Sequence, residues 1–135
     1  MSGAADETTA IGLKFDENGL IGAIVTNSSD GALLMFAYMN RQAFDMTLAT
    51  GELHLYSRSR KALWKKGESS GETFSVVSVL TDCDQDVLQV NVSSNGQGAA
   101  CHTGRKSCFY RRIVDGKLEV IDGRKLFDPG LVYNK

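Results

Sequence analysis

The sequence predicts a mainly β or α+β fold, a compact mixed sheet with one or two short helices. Short segments rich in β-branched and other apolar residues recur along the chain, and turn-forming residues separate them. Only residues 41–50 combine helical spacing with signals for a helix start and stop. The chain has 135 residues, and we expect a single domain over 1–135, with a core of about 19–112 and about ten flexible residues at the N-terminus.

The first predicted elements are a hairpin and a helix. Leu20–Thr26 and Leu33–Tyr38 are apolar runs on either side of a turn-rich stretch, which indicates a β-hairpin. Asn40 can cap the helix over 41–50, and Gly51 can end it. On this helix Phe44, Thr47 and Leu48 share one face.

The remaining predicted elements are strands. His54–Tyr56 is a short one, and residues 73–81 and 86–92 alternate and are β-branched. Cys108–Val114 and Lys117–Ile121 flank Asp115-Gly116, a strong signal for a two-residue hairpin turn.

Composition excludes several classes of protein. No apolar run approaches the roughly 20 residues of a membrane helix, and the N-terminus has no secretory pattern, so we expect a cytoplasmic protein. Three cysteines are an odd set that argues against a disulfide framework and leaves free thiols or metal ligands. The net charge of −1 gives no bulk attraction to nucleic acid or to an acidic membrane surface.

The charge is nevertheless uneven along the chain. Residues 1–52 hold seven acidic and two basic residues, whereas residues 53–112 hold five acidic and nine basic ones. The middle of the chain is therefore locally basic, which fits either a solvated surface or a phosphate-binding site.

Three aspartates alternate in the segment Thr81–Asp86. If this segment is extended, Asp82, Asp84 and Asp86 share one face and Cys83 points to the other. Three carboxylates on one face repel one another, and a hard cation such as Mg²⁺ relieves that cost. The alternative is an exposed acidic edge that discourages strand pairing.

The cysteines form a second candidate site. Cys101 and Cys108 lie seven residues apart across a glycine-containing loop, and Cys83 precedes Cys101 by 18 residues. Three thiolates suit Zn²⁺ and leave a fourth position for water, which zinc activates near neutral pH. The alternatives are buried small hydrophobic residues or a Cys101–Cys108 disulfide. His102 lies beside a candidate ligand and could act as a general base.

Basic and hydroxyl side chains form the third group. They lie in two segments, residues 56–60 and 64–71, and could bind phosphate, while Trp64 could stack on a base. Neither segment matches a P-loop or a dinucleotide-binding fingerprint. A polar surface loop is the alternative. The candidates are Ser57, Arg58, Ser59, Arg60, Trp64, Lys66, Ser69, Ser70 and Gly71.

Four segments carry a resemblance to a known family. FAYMNRQAF, LYSRSRKALWKKGESSGE, TDCDQD and ACHTGRKSCFYRR stand in the order found in phosphoribosyl-AMP cyclohydrolases, and the likeness runs over Gly19–Arg112. It implies hydrolytic opening of the adenine ring of phosphoribosyl-AMP, the third step of histidine biosynthesis. Only 23 residues follow Arg112. We therefore expect the chain to resemble the monofunctional members of the family, which lack a pyrophosphohydrolase domain. The stretch Asn95–Gly98 is slightly longer than the family pattern, and we expect it to reshape the loop near Cys101.

The resemblance also implies cofactors, partners and residue roles. It assigns zinc to Cys83, Cys101 and Cys108, shared between the subunits of an intertwined homodimer, and Mg²⁺ to Asp82, Asp84 and Asp86. His102 would move a proton, and the basic and hydroxyl residues, with Thr103 and Arg105 of the ACHTGR motif, would bind the nucleotide.

Two other functions would explain part of this pattern. A zinc nucleobase deaminase attacks the same carbon of adenine, but its H-x-E and C-x-x-C signatures are absent from this sequence. A zinc-stabilised nucleic-acid-binding module would explain the cysteines and arginines. It would leave the three aspartates unexplained, because they repel phosphate.

Overall fold

A six-stranded mixed sheet dominates the computed structural model, which describes residues 7–133. Its strand order is β4-β3-β2-β1-β6-β5, and a separate two-stranded ribbon, β7-β8, follows it. With two short helices, this confirms the mainly β, α+β fold class. The elements are β1 Ile21–Asn27, β2 Leu33–Met39, α1 Arg41–Thr50, β3 His54–Ser57, β4 Ala62–Lys65, β5 Phe74–Thr81, β6 Val87–Ser94, β7 Arg111–Val114, β8 Lys117–Val120 and α2 Pro129–Tyr133.

The first predicted hairpin and helix are both confirmed. β1 and β2 pair antiparallel. The Asn40 side chain accepts a hydrogen bond from the Ala43 amide at 2.8 Å, and Gly51 ends α1 in the left-handed conformation with φ of 74°. Phe44 lies in the core, but Leu48 is 53% exposed because it borders an open cavity instead of the sheet.

The segment Asp82–Asp86 is not extended, so the condition for three aspartates on one face and Cys83 on the other is not met. β5 ends at Thr81 and β6 begins at Val87, so these residues form the turn between two antiparallel strands. Gln85 has a φ of 59°, and the Asp86 amide donates to the Asp82 carboxylate at 3.0 Å, which closes the turn. The pairing of β5 with β6 requires a reversal of the chain here, and alternation of faces does not apply in a turn.

Two elements were absent from the prediction. β4 pairs with β3 along Leu55–Trp64 and Tyr56–Leu63, although its sequence ALWK is too short to show a pattern. The helix α2 has five residues and no buried side chain, so periodicity could not indicate it.

The core lies between the sheet and α1. β1 and β6 contribute alternating buried residues, such as Val25 and Val90, and α1 adds Ala43 and Phe44. Thr47 fastens the helix to β3, because its hydroxyl donates to the Ala43 carbonyl at 2.7 Å and accepts from the His54 amide at 3.0 Å. All of β7 and β8 is exposed.

The N-terminal segment is attached to the β5–β6 turn from Ala10 onwards. Gln85 accepts from the Gly12 amide at 2.7 Å through its side chain and from the Lys14 amide at 2.8 Å through its backbone. The expected flexibility of about ten N-terminal residues falls in part on residues 1–6, which lie outside the described residues. Across residues 7–133, no helix is both long and apolar enough to cross a bilayer.

The Thr47 hydroxyl offers a test of this packing. Thr47 is 1% exposed, and Thr47→Val keeps its shape while leaving the buried His54 amide unpaired. We expect a loss of about 1–3 kcal/mol in the free energy of unfolding, measured by urea denaturation at fixed protein concentration. The control is Thr50→Val at the exposed end of α1, which should change stability by less than about 0.5 kcal/mol. Equal losses in the two variants would contradict this role for Thr47.

Candidate active site

A cavity of about 350 Å³ joins several predicted site residues. The turn after β4 supplies Lys66, Ser69 and Ser70, and the long loop after β6 supplies His102 and Cys108. Residues from three predicted groups, the cysteines, the histidine and the basic segment, therefore meet in one place. Trp64 and Arg60 complete one wall.

The loop that carries Cys101 and Cys108 is held by its backbone. The Ala100 and Cys101 amides donate to the carbonyls of Lys106 and Arg105 at 3.0 and 3.1 Å, which folds the loop back on itself. The Cys108 amide donates to Leu34 of β2 at 2.8 Å. Cys101 is buried, Cys108 is exposed, and both are free thiols in this structure.

The two thiols and Lys66 share one electrostatic environment. Loss of hydration and the nearby Cys101 raise the pKa of Cys108 to about 11, and Lys66 opposes this shift. Burial lowers the pKa of Lys66, which is 9% exposed, while Cys108, Cys101 and Glu72 act in the opposite direction. The raised pKa keeps the Cys108 thiol protonated in the absence of a metal ion, and the buried Lys66 ammonium favours a negatively charged neighbour.

Cys83 lies at a different place in the chain. It lines a second cavity of about 470 Å³ with Phe44, Leu48 and Asp82. Among residues 7–133 the three cysteines do not form a group with ligand atoms within 4.8 Å of one another. A single chain therefore brings two of the three predicted zinc ligands together.

The three aspartates do converge, although by a turn and not by strand alternation. One ligand oxygen from each of Asp82, Asp84 and Asp86 lies within 4.8 Å of the others. Hydrogen bonds shared with Asp82 and then with Asp84 raise the pKa of Asp86 to about 6. The carboxylates are therefore crowded, as the sequence predicted, and Asp86 holds its proton up to a higher pH than an ordinary aspartate.

A third cavity, of about 350 Å³, adjoins the first through Arg60 and Trp64. It contains Ser57 and Arg58 of the predicted basic group and the ring of Tyr38. The Arg58 guanidinium lies 4.3 Å from the centre of that ring, in a cation–π contact.

Four predicted binding residues do not line these cavities. The Ser59 and Ser57 hydroxyls are hydrogen-bonded at 3.3 Å, and Gly71 is one of two left-handed glycines in the turn after β4, with φ of 82°. The Thr103 hydroxyl donates to the Cys101 sulfur at 3.0 Å, and the Arg105 guanidinium lies 4.1 Å from the Tyr110 ring centre.

One buried residue was missed by the sequence analysis. The Glu72 carboxylate is 6% exposed and accepts hydrogen bonds from the amides of Gln97, Gly98 and Ala99, just before Cys101. Its partners lie 25 or more residues away and are backbone groups, so no local pattern could indicate it. The burial of Lys66 was likewise hidden in a run of basic residues.

More than half of the chain matches the model of a known protein family. The family model for phosphoribosyl-AMP cyclohydrolase matches residues 35–110, which include the aspartate turn, the three cysteines and the basic turns. A match of this extent supports an enzyme over the nucleic-acid-binding module.

Proteins named phosphoribosyl-AMP cyclohydrolase align over most of the chain. The protein of Rhizobium leguminosarum bv. trifolii is 52% identical over 126 residues, covering 90% of this chain and 84% of the relative. That of Sinorhizobium medicae is 55% identical over 124 residues, covering 89% and 82%. That of Mesorhizobium japonicum is 50% identical over 136 residues, covering 98% and 89%. The chain therefore belongs to the phosphoribosyl-AMP cyclohydrolase family, which confirms the resemblance and the enzyme class that it implies.

Proposed function

We propose that the chain is a zinc-dependent phosphoribosyl-AMP cyclohydrolase that opens the adenine ring of phosphoribosyl-AMP by hydrolysis, as a homodimer in the cytoplasm. The observation that carries this proposal is the cavity in which Cys108 and His102 face Lys66, Ser69 and Ser70. It combines thiol ligands, a titratable base and phosphate donors. Family membership supports the reaction itself.

The donor set fits zinc. Two neighbouring cysteines offer sulfur ligands to a borderline-soft divalent ion that replaces the thiol protons, and Lys66 lowers the pKa of the Cys108 thiol that must ionise. When bound, zinc would supply Lewis-acid activation of the water that attacks the ring. The protein's own contribution is to hold Cys101 and Cys108 on a folded loop and to place the exposed His102 beside them, where it can take up or release a proton.

The separation of Cys83 from the other two thiols favours a shared site. In the proposed dimer, Cys83 of one chain completes the site with Cys101 and Cys108 of its partner. Exposed apolar side chains support such an interface, since Leu48 is 53% and Leu80 is 48% exposed beside Cys83. The partner's loop that carries Cys101 and Cys108 would cover the cavity lined by Cys83, Leu48 and Leu80.

The three aspartates fit Mg²⁺. Their oxygens already lie together, and a hard divalent ion would replace the proton that Asp86 retains. Because the turn belongs to the same segment as Cys83, this ion would lie near the proposed dimer site and could hold the turn in shape.

The two phosphates of the substrate suit the two adjoining cavities. Lys66 with the hydroxyls of Ser69 and Ser70 would bind the phosphate nearer the metal, and Arg58 with Ser57 would bind the other. Arg60 and Trp64 border both cavities, so the indole would lie along the nucleotide between the phosphates. Among residues 7–133 no carboxylate pairs with the Lys66 ammonium within 4.0 Å, so this buried charge is available to a phosphate.

The first test measures metal and activity together. Purified protein should hold about one tightly bound zinc per chain and should open phosphoribosyl-AMP, followed by ultraviolet absorbance. Removal of zinc by a chelator should abolish the reaction, and added zinc should restore it. Full activity in metal-free protein would contradict the zinc mechanism, and lack of ring opening in the zinc-loaded protein would contradict the reaction.

A second test concerns the shared site. Cys83→Ala and Cys101→Ala should each be inactive alone, and co-expression should restore about a quarter of the wild-type activity, because mixed dimers contain one intact site. Co-expression of Cys101→Ala with Cys108→Ala is the control, since both changes damage the same half of every site and no mixed dimer is intact. Failure of the first pair to complement would indicate that each site is built within one chain.

A third test uses the titration of the aspartates. Protonated Asp86 competes with Mg²⁺, so magnesium affinity should rise as pH increases through about 6 and level off above about 7. Below pH 6 the affinity should fall roughly tenfold for each pH unit, as measured by calorimetry. Asp86→Asn should bind more weakly and lose this pH dependence, whereas Asp45→Asn on the exposed side of α1 should keep it. A pH-independent affinity in the unsubstituted chain would contradict the assignment.

A further inference from the structure

A buried carboxylate joins the two loops that form the candidate active site. Glu72 ends the turn that begins at Gly67 and contains Ser69 and Ser70, and its Oε1 atom accepts three hydrogen bonds from the loop before Cys101. The donors are the consecutive amides of residues 97–99, at 2.9, 3.1 and 3.1 Å. Glu72 therefore joins the turn that contains Ser69 and Ser70 to the loop that carries Cys101.

The strength of this contact follows from burial and charge. Hydrogen bonds to an ionised acceptor are roughly twice as strong as those between neutral groups. At 6% exposure, water has little access to Glu72, and the carboxylate depends on the three amides for its solvation. The three amides depend equally on the carboxylate, because a buried backbone N–H needs an acceptor.

Two glycines allow the chain to approach Glu72 closely. A Cβ atom on Gly96 would lie 2.7 Å from the second carboxylate oxygen, and one on Gly67 would lie 2.2 Å from the Glu72 carbonyl. Neighbouring Thr73 adds further contacts, as its carbonyl accepts from the Asn95 amide at 2.9 Å and its hydroxyl from the Asn95 side chain at 3.2 Å. The stretch Asn95–Gly98, expected to reshape this loop, is thus fixed along its length by two consecutive residues.

The loop is also held in place between residue 99 and Cys101. Ala99 and Ala100 are buried, and the Ala100 and Cys101 amides are already bonded within the loop. A displacement at Gly98 would therefore move Cys101 with it, since no flexible residue intervenes. We propose that Glu72 is a positioning residue that fixes Cys101 relative to the phosphate-binding turn. As far as zinc is concerned, this inference rests on the proposed function.

The experiment compares Glu72→Gln and Glu72→Ala with the wild-type protein. Glu72→Gln keeps the length and one oxygen acceptor but loses the charge, whereas Glu72→Ala removes the acceptor. We expect faster hydrogen exchange at the amides of residues 97–99 in both variants, resolved by NMR on metal-free protein. Zinc affinity, measured by chelator competition, should fall about tenfold in Glu72→Gln and toward 100-fold in Glu72→Ala, the range found when groups that orient metal ligands are removed.

The matched control is Glu17→Gln, the same loss of charge at an exposed residue, which should behave as wild type. Unchanged exchange at residues 97–99 in Glu72→Gln would overturn the anchoring. Faster exchange with wild-type zinc affinity would overturn the positioning role. If Glu72→Ala does not fold, Glu72→Gln alone decides both points.

These outcomes separate the inference from the proposed function. A wild-type protein that binds no zinc would contradict the proposed metal site. Exchange at residues 97–99 of metal-free protein would still decide whether Glu72 holds the loop.

Discussion

The parallel pairing of β1 with β6 is the constraint on which the rest of the structure depends. It places Ala23 beside Leu88 and Val25 beside Val90 in the centre of the core. Two parallel strands cannot be joined by a tight turn, so the chain builds β2, α1, β3, β4 and β5 before β6 returns beside β1. The end of β6 then meets the β1–β2 turn, where the Ser28 amide donates to the Val92 carbonyl at 2.9 Å. The loop after β6 therefore lies beside β2 and the turn after β4, and the cavity forms between them.

The charged groups at this cavity are stabilised mainly by hydrogen bonds from backbone amides and by electrostatic interactions with one another. Burial lowers the pKa of Lys66 and loss of hydration raises that of the Cys108 thiol, and each group opposes the shift of the other. Glu72 is solvated by three amides and adds a negative charge near Lys66. In a partly buried site these interactions are stronger than on the surface. The same arrangement makes the site sensitive to small shifts of the loops, because each charge depends on a partner from a different segment.

The sequence predicted those features that depend on local chemistry. The start and end of α1 followed from Asn40 and Gly51, and alternation identified β5 and β6. The zinc candidates and His102 could be named because few residue types serve those roles. The faces of Asp82, Cys83 and Asp84 could not be predicted, because the chain reverses between β5 and β6 and their pairing is a tertiary fact that Thr81–Asp86 does not encode alone. Glu72 and the burial of Lys66 were invisible for the same reason, since both depend on a loop more than 20 residues distant.

The proposed division of the zinc ligands links metal binding to assembly. Cys83 belongs to the β5–β6 turn, whereas Cys101 and Cys108 belong to the loop after β6. A metal that binds only the completed set stabilises the dimer by mass action, and by reciprocity the dimer raises the affinity for the metal. The net charge of −1 imposes little repulsion between two copies. Three cysteines per chain would then suffice for one site per chain, because each chain would contribute to two sites. The odd number that argues against a disulfide framework is the number that such a dimer would use.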